Sequence, residues 1–287
     1  MNYKIYVIFH KDIHDTLYDK ESLKHLVFVG VNDKIKKRYN YGRGYDIIYE
    51  YKLPYFDSFF DKYKESSAIY HIYRNKLYQG LDYIGFAQYD MSIKKAVFQR
   101  ISDVVISDHA RDFLFYSETN SLPISQSFDI PIRDFLINSY NAYFNTAFTF
   151  QDLQGHPWTS ENFILCSTFI IPVKIYEKIM PWIYDLMNQY RSGIFGTWKA
   201  QELIERAYGL ALGLEYLGGN LKPVSIPIVT SPTHKILSCH PAYYGLYCLL
   251  LDFTRPLRGR LKLRLSQWRL LRKKISNFIS FKITRRH

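Results

Sequence analysis

The segment Asp82-Tyr-Ile-Gly-Phe-Ala-Gln-Tyr-Asp90 is an apolar and aromatic run that ends on a carboxylate. Runs of this kind form buried strands, and in α/β sheets ligands bind beyond the carboxyl ends of strands, so Asp90 is expected where a ligand sits. A strand-end carboxylate also caps the turn that follows it, which is the alternative for this residue. A second candidate surface is QDLQGHPWTSE, Gln151 to Glu161, turn-rich and polar, carrying His156 and Trp158. It reads as a loop on a binding face. The cysteines, Cys166, Cys239 and Cys248, form no C-x-x-C pair, so neither a disulfide framework nor a zinc knuckle is expected.

Around these residues the chain alternates strand and helix patterns. YKIYVIF (3–9) and LVFVG (26–30) are short runs rich in β-branched and aromatic residues, as in strands buried on both faces, and Ile47 to Tyr51 is a third candidate. Tyr63 to Tyr78 has helical spacing and stops before Gly80. Ile101 to Ile106 is read as another strand, Phe128 to Phe144 as helix or helix plus loop, and Phe163 to Pro172 as strand. Val173 to Tyr190 and Thr197 to about Leu217 are helices, the second closed by Gly218-Gly219. The order predicts an α/β fold with a mostly parallel sheet flanked by helices.

The formal charge of +12 suggests nucleic-acid binding until it is divided along the chain. Residues 252–287 hold 12 of the 38 basic residues and one acid, which leaves 26 basic against 25 acidic residues for 1–251. Two parts are therefore expected, a body over 1–251 and a basic tail over 252–287. In the tail, Leu261, Leu265, Trp268, Leu271, Ile275, Phe278 and Ile279 fall on one side of a helix, flanked by Lys262, Arg269 and Lys273. Leu263 and Leu270 point away from that stripe. An imperfect amphipathic basic helix suits the headgroup layer of an anionic membrane, with packing on the body or binding to RNA or DNA as alternatives. No apolar run approaches the ~18 residues of a membrane span, and MNYKIYVIFH is too short a stretch for a signal peptide.

Four segments in order resemble a family of polysaccharide glycosyltransferases found in bacterial capsule and lipopolysaccharide loci. KIYVIFHK (4–11) with LVFVG (26–30) is similar to the family's opening. Tyr63-Lys-Glu65-Ser-Ser-Ala-Ile-Tyr70-His-Ile-Tyr-Arg74-Asn75 looks like a diverged copy of its next helix. Asp82 to Met91 matches D-Y-I-G-L-x-H-Y-R-R, and Phe169 to Trp182 matches a later helix start. The similarity spans roughly 4–215. It departs where H-Y-R-R is replaced by Gln88-Tyr-Asp90-Met91, which exchanges a basic strip for an acidic one and lacks a full D-x-D.

The resemblance implies a GT-A-like fold, a nucleotide-sugar donor, and a growing surface polysaccharide or lipid-linked glycan as acceptor. It implies a cytoplasmic enzyme on the inner face of the membrane, which the tail would contact. On that basis His10, Lys11, Glu65, Arg74, Gln88 and Asp90 are expected to bind the donor. A divalent cation, Mn²⁺ or Mg²⁺, would be held by Asp90 with His234 or His240; without a metal, Arg74 or Lys11 would offset the diphosphate charge. Activation of an acceptor hydroxyl needs a carboxylate or histidine within hydrogen-bond reach, for which Glu205 is favoured, with Glu202 beside it. On an exposed helix, Glu202 and Arg206 would instead form an ordinary i,i+4 pair. His156, Trp158 and Glu161 are expected to bind the acceptor, Trp158 by stacking on a sugar face. The other classes are a non-catalytic module binding sugar nucleotides or glycans, and a nucleic-acid-binding protein acting through the tail. If the tail is the membrane contact, the full chain sediments with liposomes containing anionic lipid and deletion of 252–287 abolishes it; equal binding by the truncated chain excludes this role.

Overall fold

The computed structural model describes residues 1–10, 13, 15–31, 44–108, 112–127, 130–165, 167–191 and 200–230. The basic tail and the boundary near residue 251 lie outside the described residues, as do Lys11, His234 and His240.

The chain begins with β1 (Tyr3–Phe9), β2 (Leu26–Gly30) and β3 (Ile47–Tyr49). A 3-10 segment, Ser58–Tyr63, leads into α1 (Glu65–Arg74), and β4 (Tyr83–Gln88), β5 (Met91–Ser92) and α2 (Lys95–Ser107) follow. Next come β6 (Phe113–Tyr116), β7 (Ser121–Leu122), α3 (Ile130–Phe144), α4 (Phe150–Gly155), α5 (Pro157–Glu161) and β8 (Phe163–Ile164). The described chain closes with β9 (Phe169–Pro172), α6 (Val173–Arg191), α7 (Ala200–Leu217), β10 (Lys222–Ser225) and β11 (Val229–Thr230).

Seven strands form the central sheet in the order β10-β6-β9-β4-β1-β2-β3. β1 pairs in parallel with both β2 and β4, β2 with β3, and β6 with β10. β9 alone runs against its neighbours β4 and β6. The fold is therefore α/β with a mostly parallel sheet flanked by helices, as the strand and helix order predicts.

Alternation along the strands assigns each face a layer. Tyr6 and Ile8 of β1, Val27 and Val29 of β2, and Ile84 and Phe86 of β4 join the core made with α1, α3, α6 and α7. Ile5, Val7 and Phe9, with Phe28, Tyr83 and Ala87, point the other way and pack under Val97, Phe98 and Ile101 of α2 and against Leu17 and Tyr18. Apolar demand on both faces explains why β1 and β2 read as continuous hydrophobic runs. Gly85 of β4 lies between β1 and β9, where a Cβ would meet Ile170 Cγ1 at 2.7 Å and Ile5 Cγ1 at 3.0 Å.

Two expectations are corrected. Ile101 to Ile106 is the second half of α2; its β-branched residues suggested a strand, but Val97, Phe98 and Ile101 recur at helical spacing on the buried side. Residues 151–161 are two short helices, not a loop. Thr149 and Asp152 form a reciprocal capping box that starts α4, and Pro157 opens α5. Strands β6 (FLFY) and β10 (KPVS) have no counterpart in the sequence reading, being too short to show a period. Among the described residues no helix is long and apolar enough to cross a membrane.

α7 lies hard against β8. A Cβ on Gly209 would overlap the backbone oxygen of Ile164 and sit 2.7 Å from Phe163 Cζ, so only glycine lets helix and strand approach this closely. Gly209→Ala should therefore lower stability by about 1–3 kcal/mol in urea unfolding. Gly155→Ala, where an added Cβ meets nothing within 4 Å, should be neutral or stabilising.

Candidate functional site

The order of the sheet reverses at β1, with β2 and β3 on one side and β4 on the other. In open α/β sheets the crevice beyond the carboxyl ends of the strands at such a point receives the ligand. Ile8 pairs with Gln88, and the Tyr89 N–H donates to Ile8 O at 3.0 Å, so His10 and the Gln88-Tyr89-Asp90 corner emerge side by side. The His10 ring meets Tyr89 edge-on at 5.0 Å.

His10 continues the alternation of Tyr6 and Ile8 and therefore turns to the α1 face. There its Nδ1 stands 3.3 Å from Glu65 Oε1, with His10 33% and Glu65 8% exposed. The other Glu65 oxygen accepts a hydrogen bond from Gln201 Nε2 of α7 at 2.7 Å. Glu65 is the first residue of α1, where the unpaired N–H groups and the helix dipole favour a negative charge. The preceding Lys64 has φ +48° and ψ −114°, a conformation costly for any residue with a Cβ. The chain thus takes on local strain at the residue that delivers Glu65 to His10.

Asp90 lies in the turn that follows β4. Its Oδ1 is buried without a hydrogen-bond partner, an arrangement that costs stability and calls for a ligand, water or ion. Its charge reaches Tyr18, in the core layer under α2: burial above all, then Tyr45 and Asp90, push the Tyr18 phenol well above its ordinary pKa. The Tyr18 hydroxyl donates to Tyr89 O at 3.0 Å. Gln88, the last residue of β4, is half-buried. Among the described residues no three His, Cys, Asp or Glu side chains converge as a metal-ligand set. The orphaned oxygen of Asp90 does fit one bond to a hard cation.

The remaining candidates separate. Arg74 closes α1, about 13 Å from Glu65 at ~1.5 Å per residue, and bonds the Tyr70 hydroxyl at 3.3 Å. The chain beyond it returns to the amino ends of the strands, where Leu77 O and Gly80 O accept from Tyr6 and Asn2. Arg74 is therefore not brought to the crevice that holds His10 and Asp90. α7 divides the other candidates. Gln201, beside Glu202, binds Glu65 at its start, and Tyr216 near its end bonds His156, with Oη 3.0 Å from Nδ1. About 22 Å of helix separates those two ends at ~1.5 Å per residue. The far end is anchored by Glu215, which is buried and accepts from Tyr140, Lys178 and Asn220. Trp158 is 9% exposed and packs edge-on between Tyr116 and Tyr216, so its face is taken up by the core; Glu161 is exposed at the end of α5. Glu202 and Glu205 are half-buried on the first turns of α7, and Arg206 bonds Ser127 O and the Glu202 carbonyl. Glu65 and His10, expected at the donor, thus lie by one end of α7, and His156, expected at the acceptor, by the other.

No protein-family model matches the chain, and no sequence among the curated proteins matches it. Among solved structures it is similar to the apo structure of the bifunctional glycosyltransferase WbbM. The TM-score is 0.50 at 14% identity, over 79% of this chain and 45% of that one. The fold resembles that of a glycosyltransferase. The chain spans less than half the length of that protein.

Several residues of the site escaped the sequence. Gln201 gave no signal, since its contact joins distant segments. Lys64 gave none because positive φ at a lysine has no mark in composition. A third group, Glu50, Ser67 and His71, is almost wholly buried beside the crevice. Glu50 Oε1 accepts from Ser67 Oγ and from His71 Nδ1, the latter at 2.5 Å, while His71 Nε2 accepts the Asp57 N–H at 3.0 Å. With both imidazole nitrogens engaged, this Ser-His-Glu arrangement braces the segment before α1 and does not present a nucleophile. Ser67 and His71 at i,i+4 were the available hint. The strain at Lys64 is testable: Lys64→Gly should raise stability by about 1 kcal/mol in urea unfolding, whereas glycine at an ordinary exposed position lowers it. A loss on Lys64→Gly would mean that the backbone there is unstrained.

Proposed function

We propose that the protein is a glycosyltransferase that moves a sugar from a nucleotide-sugar donor to a glycan, with the donor held in the crevice beyond β1 and β4. The observation that carries this is the buried, unpartnered Asp90 oxygen at the point where the strand order reverses, in a fold that resembles a glycosyltransferase. A carboxylate so placed suits the polyhydroxylated or diphosphate part of a nucleotide sugar, either through hydroxyl donors or through a shared cation. Mn²⁺ or Mg²⁺, held by Asp90, would supply positive charge to the departing diphosphate. Gln88, on the same strand end, offers an amide to sugar or ribose hydroxyls.

The acceptor in this reading approaches from the side of α7, where Glu202 and Glu205 lie. His156 and Glu161, at the other end of that helix, would touch only a distal part of an extended glycan. An acceptor linked to lipid would bring the chain to an anionic membrane surface, with the basic tail as the contact.

A thermal-shift panel of UDP-, GDP-, CMP- and dTDP-sugars with Mn²⁺, Mg²⁺ or EDTA tests the donor site. One nucleotide class should stabilise the protein selectively, by about 2.7 kcal/mol at a hundred times its Kd. Asp90→Asn should remove the metal-dependent part of that shift and lower turnover about 100-fold or more. No shift with any donor, in the presence of either metal, would sink the proposal.

A further inference from the structure

We infer that His10 accepts the proton of the attacking hydroxyl, with Glu65 and Gln201 as its positioning residues. This rests on the glycosyltransferase reading and deepens it, since that reading leaves the base unassigned between Glu205 and Glu202.

Four observations converge. His10 is the first residue after β1, at the reversal of strand order, so it lines the crevice by its place in the chain. Its Nδ1 is buried and turned to Glu65, yet the side chain as a whole is one-third exposed, so the accessible edge is the one that carries Nε2. Glu65 is itself almost covered, with one oxygen occupied by Gln201 and the other facing the imidazole. A buried carboxylate facing one imidazole nitrogen places the hydrogen there and leaves the lone pair of the other nitrogen outward. Nδ1 and Glu65 Oε1 stand 3.3 Å apart without a formed hydrogen bond, and Nδ1 has no other partner, so the pair is in reach but closes only if substrate binding tightens it. Finally, His10 stands beside the corner that carries the other candidate group: its ring meets Tyr89 edge-on at 5.0 Å, and the next residue, Asp90, holds the buried unpartnered oxygen. Charge on the diphosphate and the proton of the nucleophile can thus be handled by separate groups of one crevice.

Glu202 and Glu205 fit the role less well. Both already engage neighbours within the fold.

In the step itself the acceptor O–H bond breaks and its proton passes to His10 Nε2. The oxygen lone pair forms the new bond to the anomeric carbon. The bond from that carbon to the diphosphate oxygen breaks, and its electron pair leaves with the nucleoside diphosphate. Glu65 offsets the imidazolium that results. Displacement in one step inverts the anomeric configuration.

The test uses the full chain with the donor identified by the thermal-shift panel and a glycan acceptor. His10→Gln and His10→Asn, which mimic one ring nitrogen each, should lower kcat about 100-fold or more while the donor-induced thermal shift persists. Glu65→Gln should lower kcat about tenfold or more with KM for the donor unchanged, and Glu65→Asp should recover part of the loss. Urea unfolding of each variant separates these effects from misfolding. Turnover within a few-fold of the unaltered protein in both His10 variants would overturn the inference. So would loss of the donor shift in step with turnover, which would make His10 a donor-binding residue, or a product with retained configuration. Failure of the unaltered protein to respond to any donor would instead overturn the reading on which this rests, and the inference with it.

Discussion

β1 is held in parallel register between β2 and β4, and the position of every group in the crevice depends on that pairing. A strand paired on both edges and buried on both faces has no freedom to slip, because a shift of one residue would turn Tyr6 and Ile8 out of one core and Ile5 and Val7 out of the other. His10 is therefore fixed in height and in facing by residues several positions upstream. The same register fixes Asp90 through Ile8 and Gln88. The described groups of the crevice are accordingly set by the register of the sheet.

Buried polar groups then decide how the helices sit on that sheet. Glu65 is tied to α7 through Gln201, and Glu50 ties the segment before α1 to His71, so the start of α1 is held from two directions. At the other end of α7, Glu215 collects Tyr140, Lys178 and Asn220. Burial, followed by the charge of Glu215, raises the Tyr140 phenol far above its ordinary pKa, so that it stays a neutral donor. Each of these carboxylates is costly to bury alone, and each has donors arranged around it. The oxygen of Asp90 is the contrast.

Much of the fold was legible in the sequence where a segment serves one environment throughout. YKIYVIF and LVFVG are apolar on both faces and could be little else than central strands; α6 carries its helical spacing through Pro181. Legibility failed where a short run is compatible with two states. Val104 to Ile106 has the residues of a strand but continues a helix already begun at Lys95, and FLFY is too short to show any period. For the site, strand ends could be placed from sequence, and with them His10 and Asp90. Pairings across the fold could not: nothing in QELIERAYG says that Gln201 meets Glu65, nor that the HPW segment lies a whole helix length away from it. Those facts come from how α7 crosses the sheet, which is a property of packing and not of any local pattern.

The reversed direction of β9 bears on how such a protein can diversify. Because β9 runs against β4 and β6, it starts at the edge where its neighbours end, so Ser167 and Thr168, just before it, stand near Met91, whose sulfur accepts from the Thr168 hydroxyl at 3.1 Å. Ser167 and Thr168 are themselves buried, so they form packing beneath the end of β4, although they lie some eighty positions from Asp90 in sequence. Exchanges there would alter how that corner is held while the pairings of β1 with β2 and β4 stay as they are. A lineage carrying this fold can therefore retune the corner next to Asp90 from a distant stretch of the chain.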